Sequence, residues 1–181
     1  TKNQEDWRTY LTVVRRLNES GIPSLHLPGS TLTLENGVAN GRLPLNPLNL
    51  LLRPESAGQA FSLLEDQGWV PHPGVEASKR EAYLHAASAH FFRNQSGLEI
   101  RLHWSLVGDA TFDEQVWQNA EPARDWGTQP AQEHRMLLAS LPQRRDPDFY
   151  HLVFLAIILG DQTGFEWESL LAEARKYSLD L

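Results

Sequence analysis

Cysteine is absent from the 181 residues, which excludes disulfides and thiolate metal sites outright. That absence fits a reducing compartment. A basic excess is also missing, because 16 Lys and Arg stand against 23 Asp and Glu for a formal net charge of −7. A protein whose main partner is nucleic acid carries a basic excess or stripe. Pairs such as Arg15-Arg16 and Arg144-Arg145 are too short to form one, so nucleic acid is not expected as a partner. Long apolar runs are missing too. The longest, LVFLAIIL at 152–159, falls well below the ~18 residues that span a bilayer. No signal peptide is read before Trp7. The expectation is a soluble, cytoplasmic protein with no membrane partner.

What is present suffices for a core. Hydrophobic residues make up 41% and charged residues 22%, within one ordinary domain or one domain plus a helical appendage. Trp7, Tyr10, Leu11, Val14 and Leu17 recur at helical spacing over 5–19, and Ser20-Gly21 ends that helix. Residues 22–27 alternate as a short strand and stop at the Pro28-Gly29-Ser30 turn. Residues 31–41 read as a loop or a very short helix. Leu48 to Leu52 is a continuous apolar run, as expected of a strand covered on both faces. Pro54 opens the next helix, which runs to Gly68, and Trp69-Val70 begins another strand.

Residues 83–93 and 98–106 read as two strands joined by a turn at Asn94-Gln95-Ser96-Gly97. In the second, Glu99, Arg101 and His103 share one face, and Leu98, Ile100, Leu102 and Trp104 share the other. Beyond Thr111 the pattern is helical, at 112–120, 130–141, 148–159 and 165–177. The fold class is therefore α/β or α+β: a domain over 1–110, then a helical C-terminal part over 111–181 packed on it.

Four segments occur in order: GIPSLHLPGS, RLPLNPLNLLL, a helix ending in LLEDQGW, and GLEIRLHWSL. Together they resemble the nucleotidyltransferase family, in its bacterial uncharacterised branch within the polymerase-beta-like superfamily. The resemblance runs over roughly residues 5–120, and more loosely over the C-terminal helices; LHWSL is its most distinctive piece. It implies a mixed β-sheet flanked by helices. It also implies an Asp-hydrophobic-Asp strand, a third carboxylate on a neighbouring strand, and a Lys-Gly turn that approaches a triphosphate. Those carboxylates would hold Mg²⁺ for transfer of a nucleotide.

By that resemblance the chemistry has been replaced. Pro47 and Asn49 stand at the two aspartate positions, with Asn46 taking the first if the strand slips by one. Arg101 stands at the third carboxylate, and Pro28 at the turn lysine, while Gly29 and Ser30 remain. No catalytic residue and no cofactor is expected. The resemblance then implies a pseudoenzyme acting as a binding or accessory protein. A nucleotide or other anion would lie in a cleft lined by Gly29, Ser30, Asn49, Arg101, His103 and His90, or a protein partner would dock there. The alternatives are an active Mg²⁺-dependent enzyme using displaced carboxylates, such as Glu99 with Glu35 or Asp109, and a pure interaction subunit of a biosynthetic pathway.

Other patterns point elsewhere. Among seven histidines, His85 and His90 are five apart, which on a strand places them on opposite faces. His26, His72, His134 and His151 fit no ligand pattern, so local hydrogen bonds are expected to satisfy them and no metal is expected. Ser30 lies in no Gly-x-Ser-x-Gly elbow, which argues against a hydrolase. Of six tryptophans, Trp7, Trp104, Trp117 and Trp167 fall on apolar faces and are expected in the core, with Trp69 and Trp126 more open.

Overall fold

The computed structural model of the chain describes residues 2–28, 47–123, 127–140 and 167–177. Helix α1 (Lys2–Glu19) turns Tyr10, Val13, Val14 and Leu17 inward. It closes at Gly21, whose φ of 71° lets the Ile22 amide donate back to the Leu17 carbonyl at 2.9 Å. Strands β1 (Ser24–His26) and β2 (Leu48–Leu52) follow, then a 3₁₀ turn at Pro54–Ser56 leading into α2 (Ala57–Asp66). Next come β3 (Val70–His72), α3 (Arg80–Ala86), β4 (Ala89–Arg93) and β5 (Glu99–His103). Helix α4 (Ala110–Gln118), strands β6 (Glu121–Pro122) and β7 (Thr128–Gln129), and helices α5 (Gln132–Ser140) and α6 (Trp167–Lys176) complete the described chain.

The strands form one mixed sheet in the order β3-β4-β5-β2-β1-β7-β6. β2 runs parallel to β5 and β1 parallel to β7; the remaining neighbours are antiparallel. Period two along β2 divides the leucine run between two cores. Leu48, Leu50 and Leu52 pack with α1 and α2 on one face. Leu51, with Leu25 and Leu27, packs on the other face against residues of α4, α5 and α6 such as Phe112, Val116, Leu137 and Leu170. With helices on both faces of a mixed sheet, the fold is α/β. Arg53, just past β2, stacks over Trp117 at 4.7 Å and pairs with Glu114, which ties the end of the strand to α4.

Several sequence expectations need correction. Residues 83–86 belong to helix α3, not to a strand, because REAYLHA is a run of good helix formers and the chain extends only from Ala89. The part beyond 111 contributes strands as well as helices, since β7 pairs with β1 at Leu25 and Thr128. Trp69 is buried at 4% exposure, filling the first core from the end of α2, whereas Trp167 is 52% exposed at the start of α6. Trp104 does sit in the core, where its indole N–H donates to the carbonyls of Leu84 and Ala87. The loop over 31–41, Gly29, Ser30, Asn46, Trp126, His151 and the apolar run 152–159 lie outside the described residues.

Candidate functional site

Where β2 and β5 lie side by side, parallel pairing makes Asn49 the register partner of Arg101 and Leu51 that of His103. Leu51 is roofed by the second core, whereas its partner His103, and Asn49 and Arg101 one pair step back, are only half-buried. The polar position in the leucine run thus marks the margin of a core. Two positions that the resemblance reads as carboxylates of one cleft are direct neighbours across a strand pair.

Hydrogen bonds fix this group. The Asn49 Nδ2 donates to the Pro47 carbonyl at 3.2 Å, so its Oδ1 faces the imidazole of His103 at 3.3 Å. That orientation places the ring proton on Nε2, as the donor to Asn49. Burial, and then the Arg101 guanidinium, push the His103 pKa down to about 3, so the ring is neutral at physiological pH. The Arg101 guanidinium carbon lies over the ring of Phe91, its register partner on β4, 3.7 Å from the ring centre.

Glu99, on the same face one pair step further, is bound by Arg93, whose Nε donates to Oε1 at 3.0 Å. Arg93 is the register partner of Glu99, and the pair crosses the β4–β5 hairpin. The turn below them is built on Asn94, whose Oδ1 accepts from the Ser96 and Leu98 amides, with Gly97 at φ 82°.

His90 does not join this group. It pairs with Leu102 on β5 and therefore points through the opposite face of the sheet into the first core, at 2% exposure. There its Nδ1 meets the Tyr83 hydroxyl at 2.6 Å among Phe61 and Phe92. The even–odd rule along β4 separates it from Phe91, and hence from Arg101. Phe91 and Arg93 were missed from sequence because a turn at 94–97 sets Arg93 opposite Leu98, one residue out of the observed register with Glu99, and Tyr83 because its segment was read as strand rather than helix.

A divalent cation such as Mg²⁺ takes carboxylate, carbonyl and water oxygens. Asn49, Arg101 and His103 offer an amide, a cation and a neutral imidazole, and these described residues do not fit it. Asp109 is occupied as the N-cap of α4, where its side chain accepts from the Thr111 and Phe112 amides at 2.8 and 3.1 Å. Among the described residues no cluster of three or more His, Asp or Glu is disposed to hold a metal ion. Among them, too, no helix is long and apolar enough to cross a membrane.

A family model described as "uncharacterised nucleotidyltransferase" matches residues 2–181. No curated protein matches the chain.

Proposed function

The chain belongs to the uncharacterised nucleotidyltransferase family, and from that membership we propose that it is a catalytically inactive member serving as a binding or accessory protein. The observation that carries this reading is the register pairing of Asn49 with Arg101. Nucleotide transfer by two cations needs carboxylates where the strands meet, which would hold the metal ions that neutralise phosphate oxygens. A guanidinium at that point repels a cation instead. Glu99, the carboxylate on the same face, is bound by Arg93, and Asp109 caps a helix.

The test is transfer from α-labelled ATP, GTP, CTP and UTP with Mg²⁺ or Mn²⁺, using the whole chain and a lysate of candidate acceptors. No label on any acceptor, or on the protein itself, is the expected result. Label that appears and then vanishes on Glu99→Gln would establish an active enzyme with displaced ligands.

A further inference from the structure

We infer that residues 73–88, which carry α3 across the first core, form a pH-sensitive flap latched by the hydrogen bond between Tyr83 and His90. The flap is shut while His90 is neutral and lifts when that ring takes a proton.

The topology lets this segment move alone. It leaves the sheet after β3 and returns at β4, and its base is held because His72 is the register partner of Phe91. An excursion closed at its base by strand pairing can open without unzipping the sheet. None of residues 73–88 is fully buried. Val75, Tyr83, Leu84 and Ala87 pack against the first core while only partly covered. Polar contacts tie α3 down. Arg80 donates to Glu65 of α2 at 2.8 Å, and the Trp104 indole donates to the carbonyls of Leu84 and Ala87. The Tyr83 hydroxyl meets His90 Nδ1 at 2.6 Å.

His90 is the member of that set whose charge changes near neutral pH. The flap supplies Tyr83 and the Pro73 carbonyl to its ring, yet the buried Nε2 completes no hydrogen bond. Protonation would turn Nδ1 into a donor and send the Tyr83 proton toward the Ala89 carbonyl, 3.4 Å away. It would also bury an imidazolium, and among the described residues none of the charges that act on the ring is a carboxylate. Glu65 of α2 is taken by Arg80, which lies over Phe61 at 4.9 Å. On the flap itself Glu76 pairs with Lys79, and Glu81 is exposed. β3 adds His72, a second cation in acid, while β4 and β5 add the uncharged Phe92 and Leu102. Burial, opposed by the Pro73 carbonyl and reinforced by His72, holds the ring below its ordinary imidazole value while the flap is shut. Lifting the flap returns the ring to water. The open form therefore accepts a proton that the shut form refuses, and acid favours opening below about pH 6.5.

Hydrogen exchange of the full chain from pH 7.5 to 5.0, corrected for the intrinsic pH dependence of exchange, tests this. Amides of 80–87 are expected to open more readily than those of 50–52 in β2 at every pH. Their opening is expected to rise about tenfold from pH 7.5 to 5.0. His90→Gln is expected to abolish that rise in 80–87, while any rise at 50–52, which follows global unfolding, persists. Should His90→Gln fail to fold, Tyr83→Phe removes the latch and is expected to speed exchange in 80–87 already at pH 7.5. The inference is overturned by equal protection of the two segments, by no rise in 80–87, by a rise that survives His90→Gln, or by unchanged exchange in Tyr83→Phe.

Discussion

At the scale of single residues, the sheet sorts its histidines by face, and burial decides their charge. His103 is driven down to about 3, and burial also lowers His90 and His134 below the ordinary imidazole value. Each folded-state pKa thus lies below that of the unfolded chain, near 6.5. In that interval the unfolded chain binds protons that the fold refuses, so stability is full above about pH 6.5 and falls as pH drops toward the folded values. The groups around them modulate this without reversing it: Arg101 adds to the lowering at His103, Glu173 and Glu133 oppose it at His134, and His72 adds to it at His90. Asp113, raised by burial, acts in the opposite sense. The urea midpoint is expected to be lower at pH 5.0 than at pH 7.5, and an equal or higher midpoint at pH 5.0 would refute this account. Alternation along 98–104 placed Arg101 and His103 on a common face from sequence alone. The stack of Arg101 on Phe91 was hidden, because it depends on the register of the β4–β5 hairpin.

At the scale of elements, helix α4 depends on its first residues. Asp109 accepts from two amides that the helix leaves without intrahelical partners, and Asp113 accepts from the Leu106 amide, which pins the loop leading in. Asp109→Ala is expected to cost about 1 kcal/mol by denaturant titration. Asp109→Asn is expected to cost less, because the amide oxygen still caps. Equal stability of Asp109→Ala and the parent would show that the cap contributes nothing. The helices announce themselves in the sequence through apolar spacing and turn residues, since those are local signals. α3 escaped because seven residues are too few to display a period. The two-residue strands β6 and β7 escaped because nothing so short has a pattern, and only pairing, of β7 with β1 and of β6 with β7, defines them.

At the scale of the whole molecule, the sheet needs both of its helical layers. A fragment ending at residue 110 would keep α1 and α2 but strip α4, α5 and α6 from Leu25, Leu27 and Leu51, and would remove β7 from the edge of β1. Such a fragment is expected to lack a cooperative thermal transition, and a sigmoidal melt like that of the full chain would show that its residues fold independently. The sequence by itself determined which residues seek burial and where turns fall. These follow from side-chain chemistry and short-range periodicity. Only the tertiary structure decided that Asn49 meets Arg101 across parallel strands, that Glu99 is bridged to Arg93, and that His90 belongs to the opposite face. The reason is physical: strand pairing joins residues some fifty positions apart, and a shift of one residue in register exchanges the two faces.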